Sequence, residues 1–124
     1  MKKVKDIMTQ EVVMIAGDAT VAAAVRLMVD KHVRALVVAA RGEDDAYGIV
    51  TETDIVYKVL AHDRDPGAVK VHEIMTKPCV VVNPDLAVKY CARLFANVGI
   101  RRAPVIQQKL LGIVTVTDIL RKGV

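Results

Sequence analysis

Gly48-Ile49-Val50-Thr51-Glu52-Thr53-Asp54-Ile55 returns as Gly112-Ile113-Val114-Thr115-Val116-Thr117-Asp118-Ile119, an offset of 64. In each copy a β-branched run ends in Thr-x-x-Asp, the pattern of a strand passing directly into a capped helix. Upstream, Val4, Ile7, Met8, Thr9, Val13, Asp18, Val21, Arg26, Leu27, Arg34 and Val38 recur identically as Val71, Ile74, Met75, Thr76, Val80, Asp85, Val88, Arg93, Leu94, Arg101 and Val105, an offset of 67. The difference between the two offsets gives the first copy a loop three residues longer. The chain is therefore an internal duplication. Two such halves are expected to pack about a pseudo-twofold axis, with the cleft between them as the natural place for a ligand.

A length of 124 residues is enough for one core and short for two ordinary independent domains, so the halves are expected to share a core. Hydrophobic residues make up 53% of the chain, yet charges interrupt every apolar run well before membrane-spanning length. Lys5 and Asp6 follow Met1-Lys2-Lys3 too closely for a signal peptide. The expectation is a soluble, cytoplasmic protein with no membrane association. Cys79 in an apolar run and Cys91 in a helical pattern read as reduced core fillers. The net charge of +4 favours anionic partners. With three tyrosines, one phenylalanine and no tryptophan, the chain lacks the stacking platforms of a single-strand nucleic-acid binder.

Each half reads as turn, strand, helix, strand, strand, helix. Short helical turns span Val4 to Met8 and Val71 to Met75, before strands at Val12–Ile15 and Val80–Val82. Asp18 and Asp85 are expected to cap amphipathic helices, in which Val21, Ala24, Val25 and Leu27-Met28 fall at helical spacing. Strands are expected at Leu36–Val38, Tyr47–Val50, Pro104–Ile106 and Leu110–Val114, with closing helices Asp54–Ala61 and Asp118–Lys122. His62-Asp63-Arg64-Asp65-Pro66-Gly67 reads as the linker. The fold class is α+β, two β-α-β-β-α repeats in a two-layer arrangement.

Residue inventory speaks against an enzyme. His32, His62 and His72 are scattered without ligand spacing, so neither a metal site nor a metal cofactor is expected. No glycine-rich phosphate loop occurs, and the chain has no serine. The Glu43-Asp44-Asp45 cluster reads as a solvated hairpin tip. What recurs is Thr51-x-x-Asp54 and Thr115-x-x-Asp118, in the first place a capping box. Hydroxyls and amides at a helix start also suit a sugar or phosphate, and the aspartate suits two vicinal hydroxyls such as those of ribose. Arg34, Arg101 and Arg102 stand at the start of apolar strands, where a guanidinium fork can pair with phosphate.

Together, Asp-Ile-Met-Thr and Glu-Ile-Met-Thr, Val33-Arg34-Ala35-Leu36-Val37-Val38 and Ile100-Arg101-Arg102-Ala103-Pro104-Val105-Ile106, and the doubled Gly-Ile-Val-Thr-x-Thr-Asp-Ile resemble a tandem pair of CBS domains, or Bateman module. The resemblance covers the chain as a first repeat at 1–61, a linker at 62–70 and a second repeat at 71–124. It implies a regulatory sensor of AMP, ADP, ATP or S-adenosylmethionine, acting on an unknown target protein and assembled as a homodimer. Carried over by position, one pocket would use Asp118 on ribose, Thr115 on ribose or phosphate, Ile113 against adenine and Arg101 and Arg102 on phosphate, with Gly17, Val33, Arg34 and Ala35 as the opposite wall. The other would use Asp54, Thr51, Ile49 and Arg34, closed by Arg101, Arg102, Val82 and Asn83. Ala35 stands where the second repeat has Arg102, so the Asp118 site is expected to bind more tightly. The competing expectation is a ligand-independent interaction or dimerisation module.

Overall fold

The computed structural model describes residues 1–124 and divides into two compact units, 13–79 and 1–12 with 80–124. These units are offset from the two sequence repeats. Each takes its sheet and helices from one repeat and its short helical lead-in turn from the other.

In the unit of residues 13–79, β1 (Met14–Ile15), β2 (Ala35–Val38) and β3 (Gly48–Thr51) form one sheet in the order β1-β2-β3. β1 runs parallel to β2 with Met14 opposite Val37, and β2 runs antiparallel to β3 with Ala35 opposite Thr51. Helices α2 (Val21–Lys31) and α3 (Glu52–Lys58) cover the sheet, and a 3-10 turn, Leu60–His62, extends the closing helix region expected to Ala61. Val21, Ala24 and Met28 lie at helical spacing on α2 and join Leu36, Val38, Val50, Ile55 and Val59 in the core. The lead-in turn of the second repeat, a 3-10 turn at Val71–Glu73, completes this core with Val71 and Ile74.

The other unit repeats the plan with a reduced sheet. β4 (Arg102–Gln107) pairs antiparallel with β5 (Lys109–Thr115), flanked by α4 (Val88–Val98) and α5 (Val116–Lys122). Its lead-in turn is α1 (Val4–Ile7), whose Val4 and Ile7 are buried with Val82, Val88, Cys91, Phe95, Val105 and Val114. Removing a Val, Leu, Ile or Phe side chain from water contributes about 1.5–3 kcal/mol each. Each unit therefore encloses its own core, in place of the single shared core that chain length suggested.

Two local expectations are corrected. Val80–Val82 does not form a strand; Val82 alone bridges Val105, donating to the Pro104 carbonyl and accepting from the Ile106 amide, both at 3.0 Å. The reason is Pro104. In the first repeat the Val37 amide donates to the Val13 carbonyl, and the equivalent donor for Val80 would be residue 104, which has no N–H. The aspartates before the long helices are not caps either. Thr20 caps α2 by accepting from the Ala23 amide at 3.1 Å, while Asp18 sits in the preceding turn. Ala87 precedes α4 without a side-chain cap, and Asp85 instead pairs with Lys5 at 3.2 Å.

Candidate functional site

The two Thr-x-x-Asp motifs fold into the same construction, once in each unit. Thr51 caps α3: its hydroxyl accepts from the Asp54 amide at 3.1 Å, and Asp54 Oδ2 accepts from the Thr51 amide at 2.9 Å and from its hydroxyl at 3.0 Å. Thr115 and Asp118 at the start of α5 repeat these bonds at 3.1, 3.0 and 3.1 Å. Both are reciprocal capping boxes. Asp118 is buried at 7% exposure, and it is the one buried charged side chain.

The backbone at Arg34 and at Arg101 meets the motif of its own unit. The Arg34 carbonyl accepts the first amide of α3, from Glu52, at 3.0 Å, and the Arg101 carbonyl accepts that of α5, from Val116, at 2.8 Å. Strand register brings Ala35 opposite Thr51 and Arg102 opposite Thr115. Arg34 and Arg101 are exposed, whereas Arg102 is half-buried. So the structure gathers Thr51, Asp54, Arg34 and Ala35 at one end of the β2–β3 pair, with Ile49 two residues back along β3 opposite Val37. It likewise gathers Thr115, Asp118, Arg101 and Arg102 at one end of β4–β5, with Ile113 two residues back along β5. Val33 is half-buried and packs on the core of residues 13–79. Val82 is buried and Asn83 exposed, its Oδ1 accepting from the Asp85 amide at 2.8 Å.

Gly17 lies apart from the Arg34 group. It follows β1 beyond Val38, at the other end of β2 from Ala35, with the His72 and Val38 side chains 3.5 and 3.6 Å from where its Cβ would stand. There it lines a cavity of about 400 Å³ with Val38, Arg41, His72 and Lys77. Two of the cavity's cations face a single carboxylate of the same unit, that of Asp45. Lys77 Nζ is 2.7 Å from Asp45 Oδ1, and Arg41 Nε is 4.0 Å from Asp45 Oδ2. The Lys77 ammonium, helped by the Arg41 amide, holds the Asp45 carboxyl down at about 2.

Sequence reasoning missed the third partner of each aspartate. Lys58 Nζ lies 3.1 Å from Asp54 Oδ1 and donates to the Ile74 carbonyl at 2.8 Å. Lys122 Nζ lies 3.2 Å from Asp118 Oδ1 and donates to the Ile7 carbonyl at 3.4 Å. The available signal was a lysine four residues after each aspartate on a short helix. Also missed was the role of the Met-Thr pairs. Thr9 and Ile113 exchange backbone hydrogen bonds, both at 2.9 Å, and Thr76 and Ile49 do the same at 2.9 and 3.0 Å. The lead-in turn is thereby stitched to the strand residue two positions before each capping threonine.

No group of three His, Cys, Asp or Glu residues is arranged to hold a metal ion. Both cysteines are free thiols, and burial pushes the pKa of each upward. No helix is long and apolar enough to cross a membrane.

The model of the CBS domain family matches residues 4–61 and again 71–124. A hexameric CBS-CP12 protein from bloom-forming cyanobacteria is 62% identical, with a TM-score of 0.95 over 98% of this chain and 67% of that one. The CBS domain pair of protein MJ0100, solved in complex with 5′-methylthioadenosine and S-adenosyl-L-methionine, is 26% identical with a TM-score of 0.83, over 97% of this chain and 98% of that one. Among curated relatives, the uncharacterized protein MK0525 of Methanopyrus kandleri is 39% identical over 87 residues, which make up 68% of this chain and only 44% of that protein. The doubled lead-in turn, sheet and capped closing helix, matched twice by one family model, make this chain a member of the CBS domain family carrying a tandem pair of repeats.

Proposed function

We propose that the chain is a regulatory module that binds an adenosine nucleotide, AMP, ADP or ATP, and through it modulates a partner protein. The observation that carries this proposal is the repeated grouping of a Thr–Asp capping pair with a strand-start arginine. Asp118 with Thr115 and Arg101, and Asp54 with Thr51 and Arg34, combine an acceptor for sugar hydroxyls with a cation for phosphate. In this proposal Asp118 and Asp54 hold ribose, Thr115 and Thr51 hold ribose or phosphate, and Ile113 and Ile49 meet adenine. Arg101, Arg102 and Arg34 hold phosphate, while Val33, Ala35, Val82 and Asn83 shape the surroundings. Gly17, whose position beyond Val38 puts it apart from the Arg34 group, is the weakest member of the set.

S-adenosylmethionine is the second ligand reading, favoured by the MJ0100 complex with that molecule and 5′-methylthioadenosine. An adenosine moiety is common to all these ligands, and the arginines favour the phosphorylated ones. The residue inventory and family support a regulatory, non-catalytic role, and the free thiols agree with a cytoplasmic setting. A homodimer belongs to the same proposal. Exposed apolar residues on the helices, among them Val29 on α2 and Leu120 on α5, supply surface for it. A thermal-shift series with AMP, ADP, ATP, S-adenosylmethionine and adenosine tests the proposal. A ligand at 100 times its Kd adds about 2.7 kcal/mol of stability. A flat response to all five leaves the ligand-independent interaction module as the function.

A further inference from the structure

The two oxygens of each site aspartate do different work. Asp118 Oδ2 accepts both the amide and the hydroxyl of Thr115, and so serves the cap of α5. Oδ1 faces the Lys122 ammonium, which also donates to the Ile7 carbonyl. That carbonyl belongs to the last residue of α1 and has no partner within the helix. In the other unit Asp54 Oδ1, Lys58 and the Ile74 carbonyl make the same three-membered link. An ammonium has three donors, so each lysine retains one. Lys58 and Lys122 are about half exposed, which leaves that third donor within reach of a ligand oxygen.

The duplication separates this link from a generic surface ion pair. The closing helices Glu-Thr-Asp-Ile-Val-Tyr-Lys (52–58) and Val-Thr-Asp-Ile-Leu-Arg-Lys (116–122) differ at their first, fifth and sixth positions. Threonine, aspartate, isoleucine and lysine are common to both, and both lysines reach the carbonyl at the end of a lead-in turn. An Asp–Lys pair at this spacing adds only slightly to the stability of a helix. Such a pair requires no backbone carbonyl from a segment more than a hundred residues away, as Ile7 is from Lys122.

We propose that Lys58 and Lys122 are positioning residues that relay occupancy of the ribose-binding aspartate to the lead-in turn of the same unit. The inference rests on the nucleotide-binding reading above. A ribose hydroxyl that donates to Oδ1, with a neighbouring ligand oxygen on the third lysine donor, completes the ammonium's coordination. The lysine is then fixed, and with it the bond to the Ile7 or Ile74 carbonyl. The ligand is felt as order in residues 4–9 through Lys122 and in residues 71–76 through Lys58, a coupling carried by conformational entropy. Those turns are also stitched to Ile113 and Ile49 through Thr9 and Thr76, so the ordered segment includes the proposed adenine contacts.

Hydrogen exchange of the full chain with and without saturating AMP tests this, alongside calorimetric titration of each variant. In wild type, AMP slows exchange in both 4–9 and 71–76. In Lys122→Met, protection of 4–9 is lost while that of 71–76 persists, and Lys58→Met gives the reverse. Lys122→Arg, which keeps charge and donors, restores protection of 4–9. Lys122→Gln offers a neutral donor should the Met variant fold poorly, and it too loses the AMP response at 4–9. If Lys122→Met or Lys122→Gln binds AMP and still protects 4–9, the lysine is a surface ion pair and the relay is wrong. If wild type takes up no AMP in calorimetry, the nucleotide reading itself falls and the relay with it.

Discussion

The carbonyl oxygen of Thr9 lies where a side chain on Gly112 would begin, 2.6 Å from an ideal Cβ. This close approach lets Thr9 and Ile113 exchange two backbone hydrogen bonds, fixing α1 to β5. At Gly48 the nearest obstacle is softer: the flexible Met75 sulfur at 2.9 Å, with the Thr76 carbonyl at 3.2 Å. Gly112→Ala is therefore expected to cost about 1–3 kcal/mol, since backbone must move. Gly48→Ala is expected to cost clearly less. Urea denaturation of the two variants checks the ranking, and an equal or smaller loss at position 112 refutes it.

The same glycines show how much of the fold was legible. Gly48 and Gly112 open the doubled motif and marked the strand-to-helix passage correctly, because a capping box is a local device written in four consecutive residues. The arginines were legible as neighbours of that motif because strand pairing follows from the hairpin. What was not legible is non-local. Nothing in Val4–Ile7 announces that its core partners are Val82, Phe95 and Val114, so the repeats were legible from sequence but the exchange of lead-in turns between the compact units was not. The loss of a strand at Val80–Val82 was written in Pro104, but reading it required knowing which amide Val80 would need. Lys58 and Lys122 carried a local signal that became meaningful only with the carbonyls of Ile74 and Ile7 in place.

Acid should loosen the hairpin tip of residues 13–79. Asp45 titrates near 2 in the folded chain against an ordinary value of 3.8, chiefly because of its hydrogen bond to Lys77. A carboxyl depressed by folding stabilises the fold above its unfolded pKa, and that contribution disappears as pH falls through the folded value. The window therefore runs from about 4 down to about 2. Asp45→Asn should remove the part of the stability–pH curve that falls within it. Parallel curves for wild type and variant in urea titrations across that range would show that the Lys77 pair contributes nothing to folding.

Assembly is expected in solution. On α5, Leu120 is 67% exposed and Val116 45%, beside an apolar hollow of about 260 Å³ lined by Phe95, Ile100 and Ile119. On α2 and α3, Val29, Val56 and Tyr57 are similarly exposed. On α5, Val116 and Leu120 lie one helical turn apart, and with the hollow that Val116 also lines they make an exposed apolar patch of the kind that marks an interaction face. Light scattering at micromolar concentration should give at least twice the chain mass of 13.5 kDa. A mass of one chain rules the homodimer out, and Leu120→Lys should lower the mass if α5 is in the interface.

Phosphate should dominate affinity and make it salt-sensitive. Arg34 and Arg101 are exposed, so their attraction for phosphate is screened by ions at distances beyond about 8 Å at physiological ionic strength. Calorimetry should rank AMP, ADP and ATP above adenosine, with the gap narrowing as salt rises. Adenosine binding as tightly as AMP at low salt would remove the arginines from the site.

The two aspartates should be separable by stoichiometry. Asp54→Ala and Asp118→Ala each delete a capping-box carboxylate and are expected to cost about 1 kcal/mol whether or not a ligand binds. Stability alone therefore does not distinguish a cap from a binding residue. Binding does, because each carboxylate serves its own group of threonine, arginine and strand residues. Asp118→Ala should abolish the tighter of two AMP-binding events, and Asp54→Ala the weaker. The ranking follows from Arg102, which register places opposite Thr115, where the first repeat has Ala35 opposite Thr51. The greater burial of Asp118 points the same way, since a less solvated carboxylate forms stronger hydrogen bonds with ribose hydroxyls. Titrating wild type and both variants with AMP and ATP decides it. Unchanged stoichiometry and affinity in both variants would leave the Thr-x-x-Asp motifs as helix caps alone.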